Sequence, residues 1–171
     1  MKFSEIKQFT RKANYCVDIN WGYMPDWIKN QQNEQYNLEL DPDFQRAHVW
    51  TKKQQERYIE FILKGGEGSR DIYWNCSGWM STFKGPMVLV DGKQRINAVE
   101  KFLDNKIKAF GYHHKEYEDK LSIIQTSFRF HVNNLETRAE VLQWYLDLNF
   151  GGTPHTEAER KRVINLLKEE S

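Results

Sequence analysis

The stretch from Met87 to Leu103 constrains the fold more than any other part of the chain. It opens on Met87-Val88-Leu89-Val90, a short apolar run with β-branched residues that reads as a buried strand. It closes with Ile96, Val99, Phe102 and Leu103 at helical spacing, one apolar face of a helix. Between them lies Asp91-Gly92-Lys93-Gln94-Arg95. A strand that enters a helix through a glycine turn exposes the unpaired N–H groups of the first helical turn. Those donors, the positive end of the helix dipole and the neighbouring Lys93 and Arg95 suit an anion, phosphate above all. Asp91, at the end of the strand, suits three roles: holding a metal ion, positioning a hydroxyl or capping the helix. An ordinary capped βα turn is the competing reading, because one glycine is a weak signature.

The rest of the chain supplies a mixed set of elements. Residues 1–14 are charged and amphipathic, and predict a peripheral helix carrying Phe3, Ile6 and Phe9. Tyr15, Val17 and Ile19 alternate as one face of a strand, and Tyr36, Leu38 and Leu40 predict a second strand that stops at Asp41-Pro42. Pro25-Asp26 can start a short helix. Thr51 with Gln54, Thr137 with Glu140 and Thr156 with Glu159 each fit a capping box that opens a helix. Gly65-Gly66 ends the first of these helices and Gly151-Gly152 follows the second. Further strands are expected at Asp71–Asn75, Ile107–Gly111 and Phe128–Val132. The sum is a single α+β domain over residues 1–171, with five or six strands in a small mixed sheet and at least four flanking helices.

Composition narrows the function classes. With 25 basic and 24 acidic residues the net charge is +1, so no global field recruits nucleic acid or a membrane, and any DNA contact must be local. Cys16 and Cys76 match no metal-ligand spacing and read as two reduced thiols. The five histidines form no HxH or HExxH pattern, and neither GxSxG nor a Walker A loop occurs. Gly65-Gly66-Glu67-Gly68 follows a helix and precedes a strand, the reverse of the order an anion site needs. No apolar segment is long enough to cross a bilayer and the first residues have no apolar h-region, so a cytoplasmic protein is expected.

Two other segments carry unusual chemistry. Asp43-Phe44-Gln45-Arg46 lies between a strand end and a helix start, and Gln45 and Arg46 are donors of the kind that read phosphate or base edges. A surface ion pair is the plainer reading of Arg46. Asn149-Phe150-Gly151-Gly152-Thr153-Pro154-His155-Thr156 is denser in special residues than a turn requires. It suits a second anion-facing surface, against a plain connector between helices.

Taken in order, Phe44-Gln45-Arg46…Val49-Trp50, Val90-Asp91-Gly92-Lys93-Gln94-Arg95 and Trp144-Tyr145…Asn149…Gly151-Gly152…His155-Thr156…Glu159 resemble the domain at the N-terminus of GmrSD-type modification-dependent restriction endonucleases. The resemblance runs over roughly residues 15–168. It implies a ParB/sulfiredoxin-like fold and the binding and hydrolysis of a nucleoside triphosphate with Mg2+, coupled in the larger relatives to control of DNA cleavage. It also implies a nucleotide site made by Phe44, Gln45, Arg46, Asp91, Gly92, Gln94 and Arg95, with Asn149, Gly151 and Gly152 as a further wall. On that resemblance catalysis falls to Asp91, Arg95, Gln45 and Arg46, with Asp91 holding Mg2+ or orienting the attacking water. Lys93 replaces the family's usual glutamine and adds a charge beside the phosphates.

No HNH nuclease motif occurs before Ser171, so DNA cleavage by that route is not expected of this chain. Residues 91–95 contain no cysteine, so sulfiredoxin-type repair is not implied. Two alternatives keep the site. One is a phosphotransferase acting on a small molecule or a modified DNA base. The other is a non-catalytic module that binds nucleotide or DNA and regulates a nuclease partner.

Overall fold

A computed structural model describes residues 15–45, 49–79, 81–119, 126–149 and 157–170. The expected helix over residues 1–14 lies outside them. The elements run β1 (Tyr15–Asn20), α1 (Met24–Gln31), α2 (Lys52–Leu63), β2 (Asp71–Cys76), β3 (Met87–Asp91), α3 (Lys93–Leu103), β4 (Ser127–Asn133), α4 (Arg138–Asn149) and α5 (Glu157–Glu169). The domain is therefore mixed α+β, with a four-stranded sheet in the order β1-β4-β2-β3. Both outer pairs are antiparallel, and β2 and β4 run parallel in the middle.

The described residues hold four strands rather than five or six, and both missing ones fail for a local reason. Along Tyr36–Leu40 the chain meets β3 through one parallel bridge from Glu39 to Val88 and a hydrogen bond from Met87 N to Tyr36 O at 2.8 Å. Asn37, at φ 45°, breaks the extended run before it and Pro42 follows it, so too few residues remain to make a ladder. In Ile107–Gly111, Ala109 and Tyr112 exchange hydrogen bonds of 2.9 Å in each direction across a tight turn. Phe110 and Gly111 both have positive φ there, which folds the segment back on itself.

Alternation within each strand divides the sheet into two faces. Ile72, Trp74, Phe128, Phe130 and Val132 are fully buried and join Met24, Ile28, Ile59, Ile62, Val99 and Phe102 from α1, α2 and α3 in the larger core. On the other face Val90 packs with Phe44, Leu135, Val141, Leu142, Trp144, Tyr145 and Val163, so α4 and α5 cover the β3 side. Arg129 and His131, between the buried residues of β4, point to this second face. Among the described residues no helix is long and apolar enough to cross a membrane.

Candidate functional site

The C-terminal end of β3 and the start of α3 meet at Gly92, whose φ of 113° and ψ of 1° lie where L side chains are strained. A Cβ at this position would also stand 2.5 Å from Ile72 Cδ1 and 3.1 Å from its Cγ2. Glycine is therefore demanded twice, by the turn and by the close approach of β2. The consequence for α3 is that its N-cap residue offers no side-chain oxygen. Helices α2 and α4 begin differently. Thr51 and Gln54 form a complete capping box. Thr137 Oγ1 accepts from Glu140 N at 3.2 Å while the Glu140 carboxylate accepts from Thr137 N at 3.1 Å.

The first turn of α3 carries two cations, and each has a carboxylate partner. Arg95 is held at both ends of its guanidinium: one nitrogen bonds the Asp91 carboxylate, and the other donates to the main-chain oxygen of Asp71 at 2.6 Å. Its side chain is 19% exposed and that of Asp91 31%, so the pair is only partly screened by water. Arg95 engages Asp91 Oδ2, and among the described residues nothing bonds Oδ1. Lys93 pairs with Asp41, whose side chain is 74% exposed.

The two glutamines act as ties between segments. Gln45 is buried, and its Nε2 donates to the carbonyls of Leu89 and Val90 at 2.9 Å each. Gln94 is buried too, and its Oε1 accepts from Val49 N at 3.1 Å and Trp50 N at 3.2 Å. Together they fasten both ends of the 45–50 segment to the β3–α3 junction. Each satisfies backbone groups that would be costly to leave buried and unpaired. Phe44 is 2% exposed and lies edge-on to Tyr145 at 5.2 Å, within the smaller core. Arg162 of α5 donates to the carbonyls of Phe44 and Gln45 at 3.2 and 2.9 Å, and Arg138 of α4 grips both oxygens of Asp43 at 2.8 Å.

Asp91, Gly92, Lys93, Gln94, Arg95, Gln45 and Phe44 thus surround one junction. Asn149 sits at the last position of α4, with its amide donating to Tyr145 O at 2.7 Å. Arg46, Gly151 and Gly152 lie outside the described residues.

Three polar residues next to this junction were not singled out from the sequence as site residues. Tyr73 stands opposite Asp91 across the β2–β3 pair. The His131 ring stacks on Tyr73 at 4.7 Å and 15°, and His131 Nε2 lies 2.6 Å from Asp71 Oδ1. Burial raises the Tyr73 phenol above its ordinary range and the Asp71 carboxylate adds to it, with Arg95 opposing, so the phenol stays protonated at neutral pH. The available signal was the alternation in β4, which places Arg129 and His131 away from Phe128, Phe130 and Val132. Which strand would lie beside them is a matter of sheet order.

Among the described residues no group of three or more His, Cys, Asp or Glu could hold a metal ion. A single carboxylate is nevertheless an ordinary protein ligand for Mg2+ where phosphate oxygens and water complete the shell. Asp91 Oδ1 fits that role.

The family of the GmrSD restriction endonuclease N-terminal domain matches residues 25–167. The chain belongs to that family. Neither the curated proteins nor the solved structures give a match. In this GmrSD-type domain the matched range holds the whole β3–α3 junction, the Phe44–Gln45 segment, Asp71 and His131. The association with restriction systems rests on that match.

Proposed function

We propose that the domain binds a nucleoside triphosphate at the β3–α3 junction and hydrolyses it with Mg2+, on the ParB/sulfiredoxin-like scaffold its motifs resemble. The observation that carries this reading is the start of α3. Gly92 opens the helix without a side-chain cap, Lys93 and Arg95 lie in the first turn, and Arg95 holds Asp91 by one oxygen while among the described residues nothing bonds the other. Membership of the GmrSD N-terminal family supports a role in a restriction system, in which nucleotide turnover would control a partner nuclease.

The residues divide the work as follows. Main-chain N–H groups of the first α3 turn and the Lys93 ammonium take the phosphate oxygens. Asp41, exposed to water, is the partner Lys93 exchanges for phosphate. Arg95 holds the Asp91 carboxylate in place and adds positive charge where the transferring group carries its negative charge. Bound Mg2+ supplies neutralisation of the phosphates, and Asp91 Oδ1 is the protein oxygen available to it. Gln45 bonds the end of β3 directly, and Gln94 holds Val49 and Trp50 beside the start of α3.

The test is a panel of nucleoside triphosphates with Mg2+, scoring binding and phosphate release for wild type, Asp91→Ala and Arg95→Ala. Each variant should stay folded and lose about 10²-fold or more in rate. Wild-type turnover in both would sink the assignment of these residues. Labelled phosphate found on an acceptor would move the reading to a phosphotransferase, and tight binding without turnover would move it to a regulatory module.

A further inference from the structure

Sheet order places Cys16, His131, Tyr73 and Asp91 in one row across all four strands. Within that row His131 leans towards the neighbouring Asp71, the first residue of β2, and Asp71 is bonded on two sides. Its carboxylate meets His131 Nε2 at 2.6 Å, and its main-chain oxygen accepts from Arg95 at 2.6 Å. The other end of the same guanidinium grips Asp91. A continuous chain of hydrogen bonds therefore runs from His131 through Asp71 and Arg95 to Asp91, linking β4 to the start of α3.

Asp71 has reason to need a second anchor. It follows the connector from Gly65 to Arg70, and its side chain is 37% exposed. Strand ends fray unless tied down. His131 is well placed to provide the tie, because its ring is clamped flat against Tyr73 and Tyr73 in turn meets Trp144 of α4 edge-on at 5.9 Å. A ring fixed in this way holds its N–H in one direction.

We propose that His131 and Asp71 are positioning residues of the β3–α3 junction, fixing the orientation of Arg95 and through it the Asp91 carboxylate. The consequence for turnover rests on the nucleotide reading above, whereas the consequence for the Arg95 side chain does not. Two variants separate the hydrogen bond from the packing. His131→Phe keeps a ring on Tyr73 and loses the N–H; His131→Gln keeps an amide N–H able to reach Asp71 and loses the ring.

Nucleotide hydrolysis would be measured with Mg2+ present, together with the Arg95 Nε–Hε resonance in 15N-labelled protein. The expected result for His131→Phe is a fall in kcat of about tenfold from misplacement of a charged group. KM should move by less than about twofold, since binding of the ground state is little changed. The Arg95 resonance should shift or broaden in His131→Phe and return towards its wild-type position in His131→Gln, with kcat recovering in parallel. Wild-type kcat in His131→Phe, or equal losses in both variants, would overturn the proposal. If wild type hydrolyses no nucleotide, the proposed function falls and the resonance alone decides: an unmoved Arg95 signal in His131→Phe overturns the positioning role, and a shift that His131→Gln reverses upholds it.

Discussion

Helices α2 and α3 start a few residues from each other in space and are closed in opposite ways. Thr51 and Gln54 satisfy the start of α2 from within its own sequence, Thr51 Oγ1 accepting from Gln54 N at 3.3 Å and Gln54 Oε1 from Thr51 N at 2.8 Å. The start of α3 has Gly92 in place of such a residue. The two are joined by Gln94, whose carbonyl oxygen accepts the N–H groups of Val49 and Trp50 just ahead of the α2 cap. The contrast shows what a helix end is for. An end capped locally is finished as a structural element, whereas the end opened by Gly92 and flanked by Lys93 and Arg95 is the one the proposed function assigns to a phosphate.

The strongest way to break this comparison is to give α3 a side chain at its cap. Gly92→Ala meets both a left-handed backbone and the Ile72 side chain, so it should lower stability by about 2–4 kcal/mol in urea unfolding. A variant as stable as wild type would mean that the glycine is not demanded by the turn. Thr51→Ala tests the other helix. It should cost about 1 kcal/mol of stability and leave nucleotide turnover unchanged. A loss of turnover greater than the loss of folded protein would show that the two helix starts do not divide structure from function. Lys93→Ala should have the smallest effect on stability, within about 0.5 kcal/mol, because its partner Asp41 is largely in water. Nucleotide affinity in the same variant should fall by roughly tenfold or more for a lost charge-assisted contact. Unchanged affinity would remove Lys93 from the phosphate site.

Legibility in the sequence followed the range of the interactions. The Thr51–Gln54 and Thr137–Glu140 boxes formed as the spacing predicts, since their partners are three residues apart. Period-two alternation found β1 and β4, and the Asp71–Asn75 segment formed β2 as expected, each strand giving residues to the larger core. The alternation at Tyr36–Leu40 and the short segment Ile107–Gly111 predicted strands that reduce to isolated bridges, where positive φ at Asn37 and Phe110 turns the chain. Gln45 and Phe44 show a subtler difference. Residue type pointed Gln45, and the family motif pointed Phe44, to a ligand; in the fold the buried amide of Gln45 donates to Leu89 and Val90, and the Phe44 ring packs in the smaller core.

The opening stretch, Met87 to Leu103, carried its own structure. A β-branched apolar run, a glycine and a helical apolar face determine strand, turn and helix through contacts within a few residues, and they put Lys93 and Arg95 on the first turn whatever surrounds them. Arg95 meets the Asp91 carboxylate within the stretch itself, whereas its bond to the Asp71 main-chain oxygen and the pairing of Lys93 with Asp41 were decided by tertiary structure. Asp41 and Asp71 reach the junction because residues 38–40 lie along β3 and because β2 is paired between β3 and β4. His131 joins them for the same reason. Strand order is a choice among long-range pairings whose energies depend on the whole sheet, so no local pattern around His131, Asp71 or Arg95 encodes their meeting.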